Sequence, residues 1–226
     1  MHRHDLLPNL RQSEDQQLST SELEKAACAP IPVDSGRFNA HSKFPYGCTV
    51  RAVQKSMVAF IDFLGFLNGQ LRTRDLPRIE MLMMPANFSS LVGEFIVSSI
   101  PKYCPELVKN RYHNGHPDLV PHGRYPDDLV LHGPAGIEVK ASRYPGGWQG
   151  HNAEACWLMV FVFKVNSSSA HDAEPVPFEF RAVYLAKLAI ADWKFSGRSE
   201  TSRRTITAAV TKAGEEKLKS NWIYLA

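Results

Sequence analysis

From Trp157 to Val165 every residue but Lys164 is apolar, and valine and phenylalanine fill five of those nine positions. The run is far too short to cross a bilayer and lacks the apolar–polar alternation of a strand with one wet face, so it reads as a β-strand buried on both sides. A strand of that kind cannot sit in a two-layer hairpin. Other elements must cover both faces of its sheet.

The elements that supply such cover are visible upstream. Val53, Met57, Phe60, Ile61, Leu64 and Leu67 recur at helical spacing and predict an amphipathic helix over Val53–Leu71. A second helix is predicted over Asn87–Ile100, with Asn87 or Ser89 as cap, Leu91, Phe95 and Ile96 facing inward and Pro101 as the stop. Short β-type runs follow at Asp118–Val120, Asp128–His132 and Ile137–Ala141, the last entered through the turn Gly133-Pro134-Ala135-Gly136. After the glycine-rich loop Pro145–Gly150, His151–Glu154 reads as a helix start capped by Asn152. Phe178–Leu185 and Thr205–Val210 predict further strands, and Gly214–Ser220 a terminal helix. The expected fold is α/β, a mixed β-sheet flanked by helices. Residues 1–45 read as a polar N-terminal arm with a short helical stretch at Ser21–Ala27, and residues 46–226 as one domain with a C-terminal extension.

A hydrophobic fraction of 44% excludes wholesale disorder, and a net charge of +3 is compatible with a phosphate-rich partner without selecting one. Cys28, Cys48, Cys104 and Cys156 form no Cys-x-x-Cys pair, which argues against a structural zinc site and against a disulfide-stapled fold. The polar N-terminus carries no signal-peptide pattern, so a cytoplasmic location is expected.

Chemistry concentrates in Gly136-Ile137-Glu138-Val139-Lys140-Ala141-Ser142. Strand alternation sends Ile137, Val139 and Ala141 to one face and Glu138 and Lys140 to the other. A carboxylate and an ammonium on a buried strand are costly unless they pair or hold a metal; alone, a cross-strand ion pair would explain them. Pro117-Asp118, 20 positions before Glu138, adds a second carboxylate at the head of a strand. Asp118 and Glu138 together suit a hard divalent cation such as Mg2+, with Lys140 placed to orient a water or offset charge on phosphorus. Pro126-Asp127-Asp128 is a second proline–aspartate step, so Asp127 or Asp128 is an alternative source of the first carboxylate.

This Asp…Glu-x-Lys arrangement, set in helix–strand–strand–strand order from near Asn87 to near Val165, resembles the PD-(D/E)xK nuclease superfamily and, in its local wording, type II restriction endonucleases. The resemblance implies a restriction-endonuclease-like fold and Mg2+-dependent hydrolysis of phosphodiester bonds in double-stranded DNA. It implies Asp118 and Glu138 as metal ligands, Lys140 beside the attacking water, and Glu94 on the preceding helix as an additional acidic residue. It further implies a homodimer and a place for a cognate DNA methyltransferase in a restriction–modification system. A structure-selective repair or recombination nuclease, and a catalytically inactive DNA-binding module on the same fold, are the alternatives.

Arg143, Trp148, Gln149, His151 and Asn152 follow the Glu-x-Lys strand in a loop whose glycines allow close backbone approach, and are expected to contact DNA. His113, His116, His122 and His132 gather near the motif, but their spacings match no zinc pattern and they read as loop histidines. Arg198, Arg203, Arg204, Lys212, Lys217 and Lys219 form a basic C-terminal group, ordinarily a solvated surface. No phosphate-binding loop, dinucleotide fingerprint or Gly-x-Ser-x-Gly elbow is present.

Overall fold

The computed structural model describes residues 19–150, 152–167, 174–195 and 207–226. In chain order the elements are α1 (Thr20–Ala27), α2 (Val50–Arg72), α3 (Ile79–Leu82), α4 (Pro85–Ser99), β1 (Leu107–Lys109), β2 (Leu119–Pro121), β3 (Ile137–Ser142), β4 (Gln149–Gly150), β5 (Trp157–Lys164), β6 (Glu179–Lys187), β7 (Trp193–Phe195), β8 (Ala208–Val210), α5 (Lys212–Ser220) and β9 (Trp222–Leu225). Six strands form a mixed sheet in the order β1-β2-β3-β5-β6-β9, in which β3 and β5 alone run parallel. A second sheet has the order β4-β8-β7.

The strand β5 explains the layering. Met159, Phe161 and Phe163 point into a core shared with Val53, Met57, Phe60 and Leu64 of α2 and Phe88, Val92 and Ile96 of α4. Leu158, Val160 and Val162 point the other way, into a second core made with Trp148, Trp193, Ala208, Val210 and Leu218. Helices therefore cover one face of the large sheet, while the small sheet and α5 cover the other. The protein is mixed α/β, as the periodicities predict, but its second cover is mainly β rather than helical.

The long helices lie where their apolar spacing places them. Thr49 caps α2 through Ala52 N. The start of α4 carries Pro85 in its first turn, and no side chain caps it; Asn87 and Ser89 lie within the helix. Two expected elements are absent. Asp128–His132 forms no strand, because Pro126–Asp128 is a 3-10 turn in which Asp127 and Asp128 take φ of 52° and 56°, leaving only a single bridge between His132 and His116. Asn152–Ala155 forms no helix start: the segment runs extended into β5, and Trp193 Nε1 takes the Glu154 carbonyl at 2.9 Å. The short strands β1, β7 and β9 carry no alternation long enough to announce them.

Residues 19–45, read as a polar arm, lie against the domain. Ser19 closes a capping box with Glu22 at the start of α1, Ile31 N donates to Phe178 O at 2.8 Å, and Phe38 packs on Tyr224 with ring centroids 4.8 Å apart. Among the described residues no helix is long and apolar enough to cross a membrane.

Candidate functional site

The antiparallel register pairs Leu119 with Ile137, so one step back along β2 sets Asp118 beside Glu138. Asp118 Oδ2 accepts the Val139 N–H at 2.8 Å, which fixes the carboxylate against β3. Alternation along β3 buries Ile137 and Val139 and turns Glu138 and Lys140 to the opposite face. There Lys140 Nζ donates to Glu138 Oε1 at 2.7 Å. A cleft of about 410 Å³ opens over these groups, lined by His116, Asp118, His132, Glu138, Lys140 and Glu154 among others.

The loop before β2 is knitted by the buried Asn110. Its side-chain amide donates to Pro117 O at 3.1 Å and Val130 O at 2.8 Å, and its side-chain oxygen accepts from Tyr112 N and Val130 N. His116 N donates to Leu131 O and His116 O accepts from Gly133 N, so the His116 backbone is held on both sides. Its ring stacks on His132, with centroids 5.3 Å apart. Nδ1 of His116 lies 3.0 Å from Glu138 Oε2 and 2.9 Å from Glu154 Oε2. The Cys156 sulfur lies within 4.8 Å of a ring nitrogen of the same histidine.

Burial shapes the electrostatics of all five groups. It raises Asp118, and the Glu138 carboxylate adds to it, so the Asp118 carboxyl is pushed up to about 7. Burial would raise Glu138 as well, but the His116 hydrogen bond and the Lys140 ammonium hold it low, at about 2. Burial opposes the charge on Lys140, yet Glu138 carries its pKa above the ordinary lysine value. Burial likewise opposes a proton on His116, but contacts with Cys156, Glu138 and Glu154 carry it well above the histidine range. Because burial keeps Cys156 a neutral thiol, the two carboxylates are the partners that hold that proton.

Of the sequence-derived candidates, Asp118, Glu138 and Lys140 come together. The second proline–aspartate step does not join them: Asp128 Oδ1 accepts from Gly123 N at 2.8 Å and Oδ2 faces His122. Glu94 lines an adjoining groove that shares Asp118, and its carboxylate pairs with Lys109 at 2.7 Å. Asn152 lines the main cleft, Arg143 lines a separate one with Tyr144 and Arg181, and Gln149 is exposed on β4. Trp148 corrects the expectation of a DNA-contacting ring: it is 3% exposed, packs in the second core and donates Nε1 to Tyr144 O. His151 lies outside the described residues, as do Arg198, Arg203 and Arg204.

Three residues of the site escaped the sequence reading. His116, Glu154 and Cys156 offer donor atoms that all lie within 4.8 Å of one another, a triad able to hold a metal ion. A cysteine without a Cys-x-x-Cys partner excludes only the common zinc patterns, and the visible signal was Glu154-Ala155-Cys156 leading directly into a strand parallel to β3. Comparison of the chain with protein-family models, curated proteins and solved structures finds no match.

Proposed function

We propose that the chain is a Mg2+-dependent endodeoxyribonuclease with a restriction-endonuclease-like core, hydrolysing phosphodiester bonds in double-stranded DNA. One observation carries this reading: two carboxylates and a lysine from adjacent strands β2 and β3 meet in a single cleft, with Lys140 Nζ 2.7 Å from Glu138 Oε1. The donor set fits a hard cation. Asp118 is held against ionisation by burial and by Glu138, and a divalent ion between two such carboxylates relieves that opposition.

When bound, Mg2+ would polarise the scissile phosphate and acidify a coordinated water. Asp118 and Glu138 would hold it, Asp118 with its carboxylate already aimed by the Val139 N–H. Lys140 keeps N–H donors beyond the one given to Glu138, and these orient the attacking water and neutralise charge gained by the phosphate oxygens. The β2–β3 pairing and the Val139 N–H tie Asp118 to β3, and β5 pairs along the whole of β3, so this geometry costs little reorganisation during reaction.

The test is incubation of the full chain with supercoiled plasmid and Mg2+, beside Glu138→Ala and Lys140→Ala. Discrete fragments from the wild type, with rates lowered on the order of 10²–10³-fold or more in the variants, support a type II restriction enzyme. Cleavage confined to junctions or flaps would move the reading to a repair or recombination nuclease. Intact DNA across divalent metals would leave a DNA-binding module. Sedimentation of the protein with and without duplex tests the homodimer that two-strand cleavage calls for.

A further inference from the structure

We infer that His116, Glu154 and Cys156 form a second metal site, adjoining the Asp118–Glu138 pair and selective for a thiophilic divalent ion of the zinc class. Their donor atoms are an imidazole nitrogen, a carboxylate oxygen and a sulfur, all within 4.8 Å of one another. In a tetrahedral zinc shell, donors at about 2.0–2.3 Å from the ion stand roughly 3.3–3.7 Å apart, so small side-chain rotations close the set. Nδ1 of His116 is already 2.9 Å from Glu154 Oε2.

The pattern of contacts calls for a cation at this point. Two carboxylate oxygens, from Glu138 and Glu154, converge on one imidazole nitrogen, which has a single N–H to give. Glu138 is bonded by Lys140 in addition, whereas among the described residues Glu154 makes no ammonium contact within ion-pair distance and feels Lys140 only at longer range. Cys156 is 1% exposed, which makes it a poor nucleophile toward any substrate of macromolecular size but leaves it able to ligate a small ion. His116 and Glu154 line the cleft while Cys156 lies behind them. Three protein ligands with the cleft in front is the ligand count of a site that keeps a position open.

The donor chemistry sets the selectivity. A thiolate and an imidazole favour Zn2+, Co2+ or Cd2+ over Mg2+ and Ca2+, the reverse of what Asp118 and Glu138 prefer. Coordination releases the thiol proton of Cys156 and the ring proton of His116 to solvent, so binding strengthens as pH rises.

The test is titration of the metal-free full chain with Co2+, followed by absorbance, with no DNA present. One equivalent is expected to produce a near-ultraviolet sulfur-to-cobalt charge-transfer band that Zn2+ abolishes and excess Mg2+ does not. Cys156→Ser is expected to remove the band and Glu154→Gln to weaken Co2+ binding at least tenfold, while Asp118→Asn leaves the band in place. Circular dichroism of each variant identifies loss of fold, and Glu154→Gln, on the cleft side, keeps the test decisive if Cys156→Ser does not fold. No sulfur–cobalt band in the wild type, or a band unchanged by both Cys156→Ser and Glu154→Gln, overturns the inference. Because absorbance is read without DNA, this outcome is independent of whether the chain cleaves it.

Discussion

Replacing Asp118 by Asn is expected to stabilise the metal-free protein while removing the proposed DNA cleavage. The Asp118 carboxyl is raised from 3.8 to about 7 by burial and by the neighbouring Glu138. At about 1.4 kcal/mol per tenfold change in proton affinity, that gap sets a ceiling of about 4 kcal/mol on what ionised Asp118 costs the fold. The cleft admits water on one side, and screening reduces the gain from Asn to roughly 2 kcal/mol. The amide oxygen of Asn still accepts the Val139 N–H, so the β2–β3 contact survives.

The sign follows from linkage. A carboxyl with a raised folded-state pKa costs nothing below its unfolded value, costs progressively more as pH climbs from 3.8 toward 7, and costs a constant amount above that. The stability difference between variant and wild type is therefore largest near pH 8 and falls below half of that by about pH 5. In thermal unfolding it amounts to roughly 4–8 °C at the upper pH for a chain of this length. With Mg2+ bound as proposed, millimolar Mg2+ is expected to narrow the difference by stabilising the wild type more than the variant. A variant no more stable than wild type at pH 8, or a difference flat with pH, would refute the argument that burial and Glu138 oppose this charge.

Two further perturbations probe the frame of the site. Gly136 enters β3 with φ of 149°, and a Cβ there would collide with the Leu119 carbonyl oxygen and the Pro117 ring, so Gly136→Ala is expected to cost roughly 1–3 kcal/mol, read as a lower melting temperature. Unchanged stability would show that β2 and β3 part without cost. Trp148→Ala is expected to lose roughly 3–5 kcal/mol by emptying the second core, whereas Trp148→Phe keeps most of the packing and forgoes only the Tyr144 hydrogen bond, about 1 kcal/mol. A stable Trp148→Phe variant with more than tenfold weaker duplex binding would restore Trp148 to the DNA surface.

The parts of the site legible in the sequence are those set by local geometry. Glu138 and Lys140 share a face because strands alternate with period two, and Asp118 heads a strand because the apolar pair Leu119-Val120 follows it. What escaped depends on pairing across long separations. Trp148 sits in a glycine-rich stretch that reads as a surface loop, yet β4 pairs with β8 in the register Gln149 to Ala209, and Val210 N donates to Trp148 O. Glu154 and Cys156 meet His116 because β3 pairs with β2 on one side and with β5 on the other, and the parallel β3–β5 pairing leaves no hairpin turn in the sequence to reveal it. The helix start expected at His151–Glu154 is absent over the described residues Asn152–Glu154 for a related reason: a distant Trp193 claims the Glu154 carbonyl.

A second buried charge cluster in the same protein shows what a purely structural solution looks like. Arg78 is 2% exposed, and its guanidinium donates to Glu24, Glu80, Val176 O and Asn166 at 2.9–3.0 Å, while Asn68 completes Glu80. Donors and acceptors are matched there, and nothing is left to attract a ligand. At the cleft the matching fails. Asp118, Glu138 and Glu154 supply three carboxylates against Lys140 and His116, two of them compete for one imidazole N–H, and Asp118 ionises only toward pH 7. A fold able to satisfy Arg78 so fully has the means to neutralise these groups, so their mismatch is the physical ground for the cations proposed at this cleft.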